Sequence, residues 1–476
     1  MSKRIVSLCV ALILFSGFSL SLISAEDVFG FDGGDGSSAS GALAQPAVSP
    51  DGGMTIHGRF SAGTLQYGTA LDDPSELLEL KTGSLFSGRL DLSARGTNAD
   101  AEIHLDLDGE AIASGADLPS IIDEAFVRFY FGKLDLETGL RKLTWGKADS
   151  QGPLDVINPL DLTDLTVTDS LARKIARPMV HASWSLGSYT KLEAVVIPSF
   201  EGHRIATEGR WAPLRVTELP TEIIAAVPAG PWQSTIRGSI AAQLAAQDMN
   251  TLYPDTSALE YSQAGLRFTT TVASNDIGFQ YFYGNLSRPA ISITGIDTIP
   301  PDVKVKISYN RYHQIGGDWA AVLKGFNVRA ELAGNITEDL SGDNGAVYNP
   351  SLLWSAGFDR DLFALINVNA QAAGSVRLMD GKVGSTLSDT EAGSGMTSTK
   401  ITLQLSRKIF KDALEVKASG IYGMEDVDFL IIPSVVWTKG DIEAELTGGI
   451  FGGKKDGELG QYYKNEYVKA SITFKF

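Results

Sequence analysis

Five histidines among 57 carboxylates are the residues that could carry acid–base or metal chemistry. They are His57, His104, His181, His203 and His313. The chain has no H-E-x-x-H or G-x-S-x-G segment, and no two histidines have close metal-binding spacing. His104 alternates with Glu102 and Asp106, which favours a solvated wall residue over a catalytic one. A hydrolase site assembled from distant strands leaves no local motif, so it stays an alternative. We predict no enzyme activity and no cofactor.

The first 25 residues predict export. Lys3 and Arg4 precede an apolar run and a small residue, Ala25, as in a signal peptide, although an uncleaved anchor has a similar pattern. Cys9, the single cysteine, lies in this segment, so the mature chain has neither disulfides nor thiol chemistry. Removal of two bases changes the charge from −17 to 38 − 57 = −19, which disfavours nucleic acid as a partner. Residues 26–53, rich in Gly, Ser and Pro, predict a flexible leader or a small plug.

Charged residues after Met54 alternate with apolar ones. In the segment Glu124–Phe131, Ala125 and Val127 begin an apolar row, and Glu124 and Arg128 lie in the opposite row. Period two is typical of a strand with one apolar and one polar face. Eighteen such segments are predicted to begin near Met54, Leu85, Ala101, Glu124, Lys133, Met179, Tyr189, Gln263, Asp276, Val303, Phe326, Leu352, Ala364, Lys400, Leu414, Phe429, Asp441 and Asn465.

The connections between these segments alternate between short turns and long loops. This parity predicts an all-β, closed antiparallel transmembrane barrel over residues 54–476, with about 18 strands and a range of 14–18. Two connections depart from the pattern, a short one at 424–426 and a rather long one at 316–325. In the long interval 198–260, Thr235–Gln247 could be a helix or two further strands.

The last residues, YVKASITFKF, form an amphipathic strand that ends at Phe476. Such an ending resembles the terminal signal of outer-membrane barrels. It therefore predicts a bacterial outer-membrane location, with lipid and the barrel-assembly machinery as partners.

One long segment carries a family resemblance. Gly139–Asp161 reads GLRKLTWGKADSQGPLDVINPLD. Its W-G and D-V-I-N-P elements resemble a family of outer-membrane barrels of unknown function, distantly similar to alginate-export-type barrels. The matching motif residues are Trp145, Gly146, Asp155, Asn158 and Pro159. Lys142 departs from the pattern, which has a small or Gln-like residue there. The resemblance implies a barrel with a transport role and supplies no substrate or catalytic residue.

Residues 143–176 form a long loop in this arrangement, and Pro153 and Pro159 prevent it from joining a ladder. We predict that it folds into the lumen and narrows it; the alternative is a solvated outer loop with locally paired charges. The predicted lumen and constriction residues are Arg89, Asp106, Arg128, Glu137, Arg141, Asp149, Asp155, Asp161, Arg173 and Arg177.

An 18-stranded barrel is wide enough for water. The predicted inner face holds more acids than bases. These patterns predict a porin-like channel for passive transport of small hydrophilic solutes, with a weak preference for cations. Two alternatives stay open: a gated transporter of an apolar or polymeric substrate, with 26–53 as its gate, and a structural or adhesive surface barrel. The sequence does not indicate the oligomeric state.

Overall fold

A computed structural model describes residues 53–68, 86–109, 121–149, 152–227, 229–230, 233–246, 253–295, 304–363 and 365–476. The predicted signal peptide, residues 1–25, and all but Gly53 of the predicted leader lie outside this part of the chain.

Eighteen strands form one closed sheet. They are β1 (Met54–Tyr67), β2 (Phe86–Arg95), β3 (Ala99–Asp108), β4 (Ile122–Phe131), β5 (Leu134–Arg141), β7 (Arg177–Ser185), β8 (Thr190–Ile197), β10 (Gln263–Val272), β11 (Asn275–Asn285), β14 (Arg311–Leu323), β15 (Phe326–Thr337), β16 (Ser351–Leu362), β17 (Ile366–Arg377), β18 (Thr397–Ile409), β19 (Leu414–Gly423), β20 (Asp428–Lys439), β21 (Ile442–Gly453) and β22 (Tyr467–Lys475). Two small pairs lie outside this sheet: β6 (Asp161–Leu162) with β9 (Arg204–Ile205), and β12 (Ala290–Thr294) with β13 (Lys304–Ser308).

Each wall strand pairs antiparallel with the next one in the sheet, and β22 returns to β1 with Lys475 opposite Arg59 and Tyr467 opposite Tyr67. Closure leaves no edge, which is the condition for a sheet in hydrocarbon. The predicted closed antiparallel barrel of 18 strands is confirmed.

The alternation of side chains gives the wall two different faces. Leu332 on β15 points outward and is 60% exposed, whereas its neighbour Glu331 points inward and is 4% exposed. The same holds on β14, where Ile315 is exposed and Gln314 is fully buried. The outer face is therefore apolar and the inner face polar, as period two requires.

The two ends of the barrel also differ. Turns such as Ala273–Ser274, where both residues have positive φ (50° and 64°), join strands at one end. Positive φ at both central residues matches the twist of a two-residue hairpin. Long connections join strands at the other end, with the short 424–427 connection as the predicted exception.

One strand prediction and one connection prediction are wrong. Residues near Val303 begin β13, which pairs with β12 outside the barrel, and the wall strand begins at Arg311 instead. The predicted 316–325 connection is mostly strand, because β14 continues to Leu323 and turns only at Lys324–Gly325.

Helices α1 (Ser170–Arg173), α2 (Leu214–Ala225) and α3 (Gln233–Ala246) lie in the long connections. The helical interpretation is thus confirmed from Thr235 to Ala246, and Gln247 lies outside the described residues. On α2, Leu219 and Ile223 stand one turn apart and form an apolar face with Val227, which packs near Ile293 of β12. Among the described helices, none is long and apolar enough to cross a membrane.

Candidate functional site: a loop folded against the inner wall

The loop between β5 and β7 is closed at its base by Asn158. The Asn158 amide donates hydrogen bonds to the carbonyls of Arg141 (3.0 Å) and Ile175 (2.9 Å), and its side-chain oxygen accepts one from the Leu143 N–H (2.8 Å). The Ile175 N–H in turn donates to the Pro159 carbonyl at 2.8 Å. One buried side chain thus joins the two ends of the loop.

Glu331 on β15 binds the backbone of the loop. Its carboxylate accepts hydrogen bonds from the backbone N–H groups of Lys147, Ala148 (2.7 Å) and Leu154 (3.3 Å). Gly146 permits this approach: its φ is +98°, and a Cβ there would lie 2.4 Å from Glu331 Oε1. Only glycine combines that backbone angle with that contact.

Asp149 connects the loop to β15 and β17. Its carboxylate pairs with Arg329 of β15 and accepts a hydrogen bond from the Asn369 amide of β17 at 2.9 Å. Its N–H donates to Gln371 Oε1, also on β17, at 3.1 Å. Burial raises the pKa of the Asp149 carboxyl, against the lowering effect of Arg329. Arg329 also contacts Asp359 at 2.5 Å, so one cation joins loop and wall.

Apolar contacts fix the same stretch. Trp145, Leu154 and Ile157 are at most 2% exposed. Trp145 lies against Gly265 of β10, where a Cβ would be 2.8 Å from the indole, and Leu154 lies against Gly316 of β14, where a Cβ would be 2.4 Å from Leu154 Cδ2. Glycine at these wall positions makes room for the loop.

The loop also reaches the other side of the lumen. Its start, β5, and its contact on β17 are eight strands apart in the sheet of 18. Further along, Leu165 packs in a cluster with Tyr67 of β1, Tyr467 of β22 and Trp211. Residues of 143–176 therefore contact opposite parts of the inner wall.

The remaining predicted loop residues pair mostly outside the wall. Asp155 contacts Lys174 at 2.8 Å, and Asp161 contacts Arg204 of β9 at 3.7 Å. The Arg173 guanidinium donates to the carbonyls of Val167 and Leu165. Arg177, the first residue of β7, contacts Glu201 at 2.5 Å. Of the predicted constriction acids on the loop, Asp149 is thus the one that meets a basic wall residue; the others have the local pairing of the alternative interpretation.

The predicted wall residues lie on neighbouring strands and form one paired network. Arg89 contacts Asp91 (2.9 Å), Asp106 (3.3 Å) and Asp123 (3.0 Å). Arg128 contacts Glu137 (2.5 Å), and Arg141 contacts Glu124 (3.2 Å) and Glu137 (3.5 Å). Such pairing lowers the energetic cost of carrying charge on a wall.

The inner histidines belong to this network. His104 lies between Asp91 (2.5 Å) and Glu102 (3.5 Å), and His181 lies between Glu137 (3.0 Å) and Glu193 (3.2 Å). Both ring nitrogens of each face carboxylates, so neither nitrogen is available to a nucleophile. Within the described residues, no group of three His, Cys, Asp or Glu is placed to hold a metal ion.

Sequence reasoning missed the residues that receive the loop. Glu331 and Arg329 have only the period-two placement of inner-face charges, and Gln280 and Gln314, which donate to the Leu154 (2.8 Å) and Pro153 (3.0 Å) carbonyls, belong to no motif. A buried ion pair between Arg267 and Asp318 (2.5 Å) was missed as well. The period-two pattern predicts that these side chains point inward, but it does not predict which groups they contact.

These features define a closed 18-stranded antiparallel barrel with a loop folded against its inner wall. The chain belongs to the family described as "Protein of unknown function (DUF1302)", which matches residues 89–375 and therefore includes the W-G and D-V-I-N-P elements. The similarity to alginate-export-type barrels stays a prediction.

Solved structures with detectable similarity include three from bacteria. The outer membrane channel DcaP of Acinetobacter baumannii is 10% identical, with 91% of this chain and 100% of that chain covered and a TM-score of 0.40. OccD3 (OpdP) of Pseudomonas aeruginosa is 9% identical, with 89% and 91% covered and a TM-score of 0.46. OmpT, an outer membrane protein of Vibrio cholerae, is 9% identical, with 91% and 100% covered and a TM-score of 0.42. No curated protein matches the chain.

Proposed function

We propose that the protein is an outer-membrane channel for passive transport of small hydrophilic solutes, narrowed by the 143–176 loop. The observation that carries this proposal is the anchoring of that loop by Glu331, Arg329 and Asn369 across a lumen with charged walls. A charged, partly exposed inner face supports a wet interior, because dry unpaired charge would be costly. The apolar outer face supports embedding in lipid.

Ion selectivity tests the channel directly. The mature charge of −19 predicted above, together with inner-face acids such as Asp106, whose side chain is 51% exposed, leads us to expect a weak preference for cations. In planar bilayers with a salt gradient, the refolded protein should show stepwise conductance and a reversal potential on the cation side. The preference should decline as ionic strength rises, since salt screens exposed charge. Absence of conductance contradicts the channel, and anion selectivity contradicts the preference alone.

The role of the loop is tested by Glu331→Gln. The amide keeps the shape but loses the charge that accepts three N–H groups, each such bond being worth about 1.5–3 kcal/mol. We expect larger and noisier open-channel currents, because the loop tip is released.

Glu415→Gln is the matched control. Glu415 is also an inner-face carboxylate, and it contacts Lys417 (3.8 Å) rather than the loop. Both variants remove one negative charge, so a change in selectivity common to both reports charge, whereas a change in conductance and noise limited to Glu331→Gln reports the loop. Equal currents in the two variants argue against narrowing by this loop.

A further inference from the structure

The seam between β20 and β21 is interrupted in the middle of the wall. The ladder omits Ile432 and Pro433 on β20 and Gly448 and Gly449 on β21, although pairs on either side keep the same register. Proline has no N–H to donate, and the Pro433 carbonyl accepts instead from the Thr447 hydroxyl at 3.2 Å. Proline inside a paired strand normally marks an edge or a bulge. Here it marks a place where the wall lacks its usual bonds.

The inner surface at this seam is apolar, unlike the charged network on β2 to β8. Ile432, Phe451 and Tyr467 point inward and are 6%, 2% and 3% exposed, and Trp211 packs on Phe451 with 5.6 Å between ring centroids. The outer surface is apolar as well, since Ile431 next to the break is 40% exposed there. Both faces of the wall are thus apolar at the break itself, and the charges that act on Tyr467 come from Asp164, Arg173 and Glu445 beside it.

Tyr467 adds a polar contact at the same place. Its ring covers Gly449, where a Cβ would lie 2.1 Å from Tyr467 Cε1. Its hydroxyl is buried and has no hydrogen-bond partner among the residues that the structure describes. A buried unpaired donor is unfavourable unless a ligand or water satisfies it. The site therefore suits an apolar chain that ends in a hydrogen-bond acceptor.

We propose that the β20–β21 seam is a lateral passage through which a single-chain amphiphile, such as a fatty acid, moves between the lumen and the membrane. Tyr467 binds its polar end, and Trp211 covers the inner opening. This route is separate from passage of hydrophilic solutes along the lumen. It requires the barrel to lie in a bilayer but does not require the proposed channel activity.

A reversible clamp tests the passage. In a Cys9→Ser background, Ile431→Cys with Ile450→Cys places a directly opposed, outward pair beside the break, and Val416→Cys with Val435→Cys places a pair across the intact β19–β20 seam. Oxidised and reduced forms of one folded sample are compared, so folding is held constant. The readout is quenching of Trp211 fluorescence by bromododecanoic acid in vesicles, with the other tryptophans replaced by Phe.

We expect loss of Trp211 emission in the reduced protein, protection by the disulfide at the β20–β21 seam and no protection by the control disulfide. A second chain that keeps only Trp145 should resist quenching, because Trp145 lies against Gly265 behind an uninterrupted ladder. The proposal is overturned if Trp211 and Trp145 are quenched equally, or if the disulfide at the β20–β21 seam does not change the quenching of Trp211. A clamp that abolishes ion conductance also overturns it, since the seam would then belong to the aqueous path.

Tyr467→Phe tests the polar end of the ligand. Loss of one hydrogen bond of average strength should weaken the apparent affinity for bromododecanoic acid about fivefold. Quenching by bromododecane, which has no acceptor, should be unchanged. Equal effects on both probes, or none on the acid, contradict the role of Tyr467. A protein without conductance that still shows clamp-sensitive quenching would refute the channel and leave the lateral passage standing.

Discussion

Gly146 is the residue on which the loop's contact with the wall depends most. Its φ of +98° and its contact with Glu331 leave no space for a Cβ. We expect Gly146→Ala to displace the Glu331 carboxylate from the loop N–H groups and to strain the backbone by about 1–3 kcal/mol. Denaturant unfolding should show lower stability, and bilayer recordings should show noisier current.

Gly132→Ala is the control for this substitution. Gly132 also has positive φ (+70°), but no atom of the described part of the chain lies within 4 Å of a Cβ there. It reproduces the backbone strain without the steric contact. Current noise that rises equally in both variants would show that strain, rather than displacement of Glu331, disturbs the channel.

Single residues were only partly predictable. Trp145, Gly146 and Asn158 were singled out through the family motif, and their contacts explain the motif physically. Trp145 is buried against the wall, Gly146 allows the close approach of Glu331, and Asn158 joins the two ends of the loop. The partner of Asp149 was not predictable. Arg329 lies 180 residues away, and inward parity alone does not pair one wall residue with one loop residue.

At the scale of elements, His203 joins three long connections. Its ring Nδ1 accepts a hydrogen bond from the Leu160 N–H (2.9 Å) next to β6, and its backbone N–H donates to the Ser287 carbonyl (2.7 Å). Burial, and then the charge of Arg288, lowers the pKa of His203 to about 4. Acceptance at Nδ1 requires that nitrogen to be unprotonated, which the lowered pKa favours.

The β6–β9 contact should therefore weaken in acid. Above pH 6.5, the ordinary His pKa, the ring is neutral whether or not the contact is made, and pH has no effect through it. Between pH 6.5 and pH 4, only the state in which the contact is broken binds the proton. The free energy that stabilises the contact therefore decreases as the pH is lowered, by up to roughly 3 kcal/mol. Current fluctuations should increase over this window. His203→Gln retains an acceptor that does not titrate and should abolish the dependence.

His57→Gln serves as the comparison, because His57 is exposed on β1. The charged groups near the β6–β9 contact, Glu201 and Asp161, are present in both variants. An unchanged acid response in His203→Gln would show that His203 is not the source of the effect.

An element was predictable where its sequence pattern is compatible with few structures. Eighteen wall strands were expected because a wall strand must alternate between lipid and lumen. The segment Lys304–Ser308 alternates just as well, yet pairs with β12 outside the barrel. Period two reports two unlike faces and does not distinguish lipid from solvent. The continuation of β14 through Gly316–Gly317 was missed because glycine there looks like a turn, whereas Gly316 makes room for Leu154.

For the whole molecule, Phe476 extends the β22–β1 pairing that closes the sheet. Phe476 exchanges two backbone hydrogen bonds with Gly58, each 2.9 Å long, and its ring stacks on Phe60 with centroids 5.5 Å apart. Gly58 allows this, because a Cβ there would lie 2.5 Å from the Phe476 ring. The end of the chain thus joins the final strand to the first one.

Two changes at Phe476 separate this structural role from the predicted recognition by the assembly machinery. Deletion removes both backbone bonds and the ring, whereas Phe476→Ala removes only the ring, an aromatic contact worth about 0.5–1.5 kcal/mol. In protein-free vesicles, folding yield on gels should therefore fall slightly for Phe476→Ala and further for the deletion. Phe474→Ala, which removes a neighbouring outward ring, should match Phe476→Ala there. In vesicles that contain the machinery, Phe476→Ala should fall well below Phe474→Ala; equal yields would show that the machinery does not recognise the terminal ring.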